Sequence, residues 1–248
     1  CHIKTVAVDD LGLQPDLITD QANVIFTTPS HQCPTASTLP MERRRSLLEK
    51  AHDIDALVVE DDYEFEMSFL AKPSPALKSL DNDGRVIYVG SFSKSLFPGL
   101  RLGYLVGSAP FIKEARALRA SVLRHPPGHL QRTAAYFLGL GHYDALVRRL
   151  GRTYQERRQV METAINKSGL TVAGKGSHGG SSFWMRAPSG TDTQELAMRL
   201  KSESTFIEHG KPFFFGDNRP TEYYRLAYSS IPTDKIAKGI DIIARALD

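Results

Sequence analysis

Three things are scarce in this sequence of 248 residues: cysteine, long apolar runs and net charge. The two cysteines, Cys1 and Cys33, are too few for a disulfide framework or a zinc site. No apolar run approaches the roughly 20 residues that span a bilayer. The N-terminus has no apolar stretch of the signal-peptide type, so a cytoplasmic location without membrane contact is expected. A formal net charge of +3 is too small to indicate nucleic-acid binding.

What remains is the composition of an ordinary globular protein, with 41% hydrophobic and 24% charged residues. The length allows one or two domains. The sequence has no initiator methionine, and its segment Lys4–Val8 has the pattern of a strand that needs neighbours. We therefore expect this chain to be the C-terminal part of a longer polypeptide.

The first part of the chain alternates predicted strands and helices, which is typical of an α/β domain with a mostly parallel sheet. The predicted strands are Thr5–Val8, Val24–Thr27, Ala56–Val59, Val86–Val89 and Leu102–Val106, and the predicted helices are Pro40–Ala51, Ala109–Arg124 and Leu130–Leu140. In the first of these helices the arginine run 43–45 lies opposite the apolar stripe. We expect that run on a solvated face.

The second part has a different character and predicts a smaller α+β domain, with a boundary near Tyr143. The predicted strands are Leu170–Val172, Ser182–Arg186, Thr205–Glu208 and Tyr223–Tyr228. The predicted helices are Asp144–Asn166, Asp192–Ser202 and a last helix after Pro232, with Ile236, Ile240, Ile243 and Leu247 at helical spacing. The predicted domains are thus 1–143 and 144–248.

A single lysine stands out because of its position between two apolar runs. Lys94 lies in a polar turn after Val86–Val89 and before Leu102–Val106, both of which we expect to be buried strands. Most lysines are solvated, and that is the ordinary interpretation of this one. The alternative is a Schiff-base lysine, whose amine emerges at a strand end and condenses with an aldehyde.

The chain offers the other groups that a lysine-bound pyridoxal phosphate requires. Taken alone, the acidic run 60–62 would be interpreted as a solvated turn. However, Asp61 follows a predicted buried strand and is suitably placed for a pyridine nitrogen, and Tyr63 for the 3-oxygen of the ring. Hydroxyls and a guanidinium suited to a phosphate flank the lysine, namely Ser91, Ser93 and Arg101.

One arginine lies within an otherwise apolar predicted strand. Arg225 follows Tyr224 and precedes Leu226 and Ala227. Burying an arginine without an anion is costly. We therefore expect Arg225 to bind the acid group of a ligand, for which a guanidinium offers a bidentate fork.

Four motifs carry a resemblance to a known family. EDDYE at 60–64, SFSKSLFPGLRLGY at 91–104 and YYRLAYSS at 223–230 resemble the fold-type I pyridoxal-phosphate aminotransferases of class I/II. TPSHQCPTA at 28–36 resembles a signature of the MocR-type bacterial transcription regulators of the GntR family. The resemblance covers essentially the whole chain. It implies that 1–143 is the C-terminal part of the large cofactor-binding domain and 144–248 the small domain.

The resemblance also implies a role for each site residue. Lys94 forms the Schiff base with pyridoxal 5'-phosphate, Asp61 pairs with the pyridine nitrogen and Tyr63 meets the 3-oxygen. Arg225 holds the acid group of the ligand. The residues at the phosphate are Ser91, Ser93 and Arg101. His31 lies in a loop near the cofactor, with a structural role as the alternative.

The function implied is that of an effector-sensing, aminotransferase-like domain, in which an amino-acid-like or amino-sulfonate effector, such as taurine or an ectoine-derived compound, displaces Lys94 by transimination. DNA would be bound only through a winged-helix domain absent from this chain, and a homodimer is expected. The alternative is an active aminotransferase. Cys33 and Ala36 stand where such enzymes usually have Asn and Gly, which disfavours efficient transamination.

Overall fold

The computed structural model describes residues 2–174 and 176–247. It opens with a short antiparallel hairpin, β1 (Val8–Asp9) and β2 (Gly12–Leu13). Only Val8 of the predicted strand Thr5–Val8 is in a strand, so that prediction is mostly wrong. A single turn of 3-10 helix, Pro15–Leu17, follows.

The larger sheet has four strands in chain order, and three of them are parallel. They are β3 (Val24–Thr27), β4 (Leu57–Asp62), β5 (Val86–Ser91) and β6 (Gly103–Val106). β4 runs parallel to both β3 and β5, and β6 is antiparallel to β5. The mostly parallel sheet is confirmed. Because β4 and β5 are parallel, their carboxyl ends lie at one edge of the sheet.

One face of this sheet is buried and the other is open. Ile25, Val58 and Val86 pack with Leu47 of helix α1 (Met41–Asp53) in one apolar core. Phe26, on the opposite face, is 74% exposed. The predicted strand Leu102–Val106 is confirmed as β6, but its predicted burial is wrong, because every residue of β6 is exposed.

The arginine run on α1 does not lie wholly on a solvated face as predicted. Arg44 is fully buried and donates hydrogen bonds to the carbonyls of Leu39 (2.8 Å), Pro29 (2.9 Å) and Pro75 (3.0 Å). The buried carboxylate of Glu60 lies 3.8 Å away. This arginine ties α1 to two loops, so the prediction of a solvated run fails at its middle residue.

Four further helices complete the first two-thirds of the chain: α2 (Leu77–Leu80), α3 (Ala109–Leu123), α4 (Gly128–Gly139) and α5 (His142–Ser168). None of the residues of α3 is buried. The Tyr143 hydroxyl at the start of α5 donates to Ser95 Oγ at 2.9 Å, which attaches α5 to the lysine turn. Among the described residues, no helix is long and apolar enough to cross a membrane.

The smaller sheet is antiparallel, with strand order β7-β8-β10-β9. Its strands are β7 (Thr171–Val172), β8 (Ser182–Arg186), β9 (Glu208–His209) and β10 (Tyr223–Ala227), and its helices are α6 (Thr193–Ser202) and α7 (Thr233–Leu247). The predicted strand Thr205–Glu208 is mostly wrong, because only Glu208 belongs to β9. The α7 stripe is confirmed at Ile236, Ile240 and Ile243, which join a core shared with α5. The boundary near Tyr143 stays a prediction.

Candidate functional site

The carboxyl ends of β4 and β5 form the edge at which the predicted site residues meet. Asp61 on β4 pairs with Val89 on β5, and Ser91 lies two residues further along the same face of β5. Asp61 is exposed on this open face, and desolvation raises the pKa of its carboxyl above the usual value. The sheet therefore places an acid and a hydroxyl side by side.

The lysine turn follows β5 directly and is closed by backbone hydrogen bonds. Leu96 N–H donates to the Phe92 carbonyl at 2.8 Å, and Ser93 N–H donates to Ser91 Oγ at 3.1 Å. The side chain of Lys94 is 39% exposed. Its role as the Schiff-base lysine stays a prediction.

Arg101 is brought back to this turn by the start of β6. The Phe92 N–H donates to the carbonyl of Leu102 at 3.1 Å, which holds the neighbouring Arg101 beside the turn. Arg101 has φ = 50° and is exposed. Arg101 therefore lies on a backbone segment next to the turn that carries Ser91, Ser93 and Lys94.

Tyr63 and His31 are linked across two loops. The Tyr63 hydroxyl donates to the His31 carbonyl at 3.2 Å, and burial raises the pKa of Tyr63 above its usual range. The His31 ring is 2% exposed, with Nε2 lying 3.1 Å from Ser68 Oγ. Burial lowers the pKa of His31 to about 4, so the ring is neutral at pH 7. These contacts favour the structural role of His31.

Arg225 has an anion partner within the chain, which the sequence analysis did not predict, and its binding of a ligand's acid group stays a prediction. Its Nη1 donates to Glu208 Oε2 at 2.8 Å and its Nε to Ser182 Oγ at 2.8 Å. Its positive charge acts on both Cys33 and Tyr63, opposing the rise in their pKa that burial causes. Arg225 therefore faces the loop and strand end that carry the other site residues.

The sequence reasoning missed two glutamates. Glu64 Oε1 lies 3.4 Å from Lys94 Nζ, and its side chain is 2% exposed. Glu208 pairs with Arg225 across the β9–β10 ladder. Glu64 belongs to the acidic motif at 60–64, and its position there was the available signal. Nothing in the sequence around Glu208 indicated its pairing.

Two departures from the aminotransferase pattern lie in the loop 32–37. The thiol of Cys33 is part-buried, and burial raises its pKa above the usual value. Ala36, where the pattern has glycine, has φ = 59° and lies in the left-handed region that favours glycine. The loop thus keeps the backbone geometry of a glycine position without the glycine.

Comparison with known proteins identifies the family. The family model for aminotransferase class I and II matches residues 5–243. The chain belongs to that family. It is 58% identical over 246 residues to the HTH-type transcriptional regulator TauR of Rhodobacter capsulatus, covering 99% of this chain and 51% of that protein. The chain thus spans about half the length of this relative.

Two further comparisons point to the regulators and to the fold. The probable rhizopine catabolism regulatory protein MocR of Rhizobium meliloti is 39% identical over 137 residues, which is 55% of this chain and 28% of that protein. The structure of LysN, an α-aminoadipate aminotransferase from Thermus thermophilus, superposes with a TM-score of 0.90 at 28% identity, covering 98% of this chain and 64% of that one. The resemblance to the aminotransferase-like domain of MocR-type regulators is confirmed, as is the fold class.

The family also confirms pyridoxal phosphate as the predicted cofactor, and the LysN structure holds a phosphopyridoxyl-leucine. The residues at the sheet edge fit such a group chemically, because they combine an amine, a carboxylate, a phenol, hydroxyls and a guanidinium. Gly103 is the cross-strand partner of Ser91, and a Cβ there would lie 2.7 Å from the Gly90 carbonyl oxygen, so β6 approaches β5 closely at this point.

Proposed function

We propose that this chain is the cofactor-binding, effector-sensing domain of a MocR-type transcription regulator. The observation that carries the proposal is the placement of Lys94 in the turn after β5, beside the strand end of β4 that bears Asp61 and Tyr63. The identity of 58% with the regulator TauR favours a regulator over an enzyme. In the whole protein, DNA would be contacted by a helix-turn-helix domain outside this chain.

Pyridoxal phosphate, when bound, would supply an aldehyde for the lysine and a ring that withdraws electrons. Lys94 would provide the amine, Asp61 the negative charge at the ring nitrogen and Tyr63 a hydrogen bond to the ring oxygen. The phosphate would be held by the cluster around the turn, namely Ser91, Ser93 and Arg101.

Arg225 would orient the effector by its acid group. Its Nε is held by Ser182 and its Nη1 by Glu208, so the guanidinium is fixed before a ligand arrives. The effector class is therefore an amine with a carboxylate or sulfonate at the other end. A homodimer remains part of this proposal.

A visible spectrum of the purified chain with pyridoxal phosphate tests the proposal. We expect an absorbance band that is absent in Lys94→Ala and that shifts on addition of 2-aminoethanesulfonate or β-alanine without release of the corresponding aldehyde. 2-Aminoethanol, which lacks the acid group, is the control ligand. Steady release of the aldehyde would favour the second candidate, an aminotransferase, which the family membership supports. A band that persists in Lys94→Ala would contradict both.

A further inference from the structure

We propose that Glu64 is a further catalytic residue: its carboxylate receives and holds the amine of Lys94 whenever that amine is not bound to the cofactor. The inference rests on the function proposed above and adds a residue outside the predicted set. Its basis is the contact between Glu64 Oε1 and Lys94 Nζ at 3.4 Å. Among the described residues, Lys94 is the cation that lies within 4 Å of this carboxylate.

The carboxylate of Glu64 is fixed by the segment 179–181 of the smaller domain. The Ser181 hydroxyl donates to Oε1, and a Cβ at Gly180 would lie 3.7 Å from Oε2. Gly180 is itself held on both sides, because its N–H donates to the Met67 carbonyl (3.0 Å) and its own carbonyl accepts from the Tyr228 hydroxyl (2.6 Å). The acid is therefore immobile, and the half-exposed lysine is the member of the pair that can move.

The other basic groups around Glu64 do not compete with Lys94 for its carboxylate. The nearby His31 is neutral at pH 7. Arg158 has an acid of its own, since its Nε lies 2.9 Å from Glu162 Oε1, and its Nη1 donates to the Gly179 carbonyl. A buried carboxylate in these surroundings is stabilised by an ammonium at ion-pair distance.

The carboxylate of Glu64 acts at the step in which an effector replaces the lysine. The effector's amine arrives as an ammonium and gives up one proton before it can act as a nucleophile. The released amine of Lys94 takes up one proton, since a free lysine is an ammonium in neutral water. The proton count balances within the site, and Glu64 holds the resulting ammonium away from the sheet edge. The pair thereby favours the effector-bound state over the lysine-bound state.

The first test is a spectral titration of the cofactor-loaded chain with 2-aminoethanesulfonate and β-alanine. In Glu64→Gln, which keeps the shape and can keep the Ser181 hydrogen bond, we expect the half-maximal concentration to rise about tenfold, a size appropriate to a partly solvated ion pair. Ser181→Ala should shift it in the same direction by less. The matched control is Asp20→Asn, which removes the acid of the exposed Lys50–Asp20 ion pair outside the site. A Glu64→Gln titration within about twofold of the unmodified chain would overturn the proposal.

The second test needs no cofactor and so separates this inference from the proposed function. The chain alone is treated with trinitrobenzenesulfonate, and modification of Lys94 is followed by peptide mass spectrometry. We expect Lys94 to react several-fold faster in Glu64→Gln than in Asp20→Asn, because the ion pair restrains the amine. Equal rates would overturn the inference even if the cofactor binds. Lys94 could be labelled faster in Glu64→Gln while the absorbance band with pyridoxal phosphate does not depend on Lys94. The ion pair would then be correct and the proposed function wrong.

Discussion

The two ion pairs of the site are built in opposite ways. In Lys94–Glu64 the acid is buried, at 2% exposure, and the base is 39% exposed. In Arg225–Glu208 the base is 14% exposed and the acid 53% exposed. In each pair the buried member is also hydrogen-bonded by a serine of β8 or its approach, Ser181 or Ser182.

The difference indicates which member of each pair can move. Glu64 is a fixed acceptor for a lysine that must travel between two partners. Arg225 is a fixed donor whose acid, Glu208, lies on a two-residue strand at the sheet edge and can give way to the acid group of a ligand. Solvent screens an exposed charge and weakens its hold. The exposed member is therefore the one exchanged during binding.

The largest effect is expected from removing the fixed donor. In Arg225→Gln, half-maximal binding of β-alanine should weaken about 30- to 100-fold, because a charge-assisted hydrogen bond to the acid group is lost. Binding of 2-aminoethanol, which has no acid group, should change little. Spectral titration of both ligands measures the split. Equal losses for the two ligands would mean that Arg225 supports the fold and does not bind the acid.

The loop that carries His31 allows a test based on the pH dependence of stability. His31 is buried with its pKa lowered from 6.5 to about 4, mainly by desolvation, so the unfolded chain binds a proton between these values and the folded chain does not. Stability present above pH 6.5 should therefore be lost as the pH falls through 4, by at most about 3 kcal/mol.

Urea unfolding at pH 7 and pH 4.5 measures this loss against His31→Gln, which can keep the contact with Ser68. The buried Asp62, whose pKa burial raises to about 6, opposes the trend equally in both proteins. The unmodified chain should lose more stability than the variant on acidification. If the two proteins lose the same free energy of unfolding, His31 is protonated without unfolding, and the loop that carries it is not rigid.

A smaller effect is expected from removing the exchangeable acid. Glu208→Gln frees Arg225 from an internal competitor, so β-alanine should bind about three- to tenfold more tightly, as fits a half-exposed ion pair. The gain should shrink at high salt, because screening already weakens the pair. Weaker binding in this variant would assign Glu208 a direct role in holding the ligand. The exposed member of this pair would then not be the one exchanged during binding.

Local features of the fold follow from the sequence, and its long-range side-chain contacts do not. The apolar strands at Val86 and Val58 and the α7 stripe were predictable because burial imposes a period on apolar residues. The exposure of β6 was not, since an apolar run does not reveal which side of a sheet is covered. The burial of Arg44 depends on carbonyls of two loops, and those are brought together only by the tertiary structure.

The same distinction applies to the site. The family motifs contain Lys94, Asp61, Tyr63 and Arg101, so the sequence was sufficient to propose them together as site residues. Their roles stay predictions. The partners Glu64 and Glu208 are 30 and 17 residues away from the bases that they pair with. No short-range pattern encodes such contacts.

Locating the cofactor on the chain tests whether Lys94 forms the Schiff base with pyridoxal phosphate. The chain is incubated with pyridoxal phosphate, reduced with borohydride, digested and examined by peptide mass spectrometry, with Lys94→Ala as the control. We expect a phosphopyridoxyl group on the peptide that contains Lys94 and no comparable label elsewhere. Labelling spread over surface lysines, unchanged in Lys94→Ala, would contradict it and return Lys94 to the ordinary role of a solvated lysine.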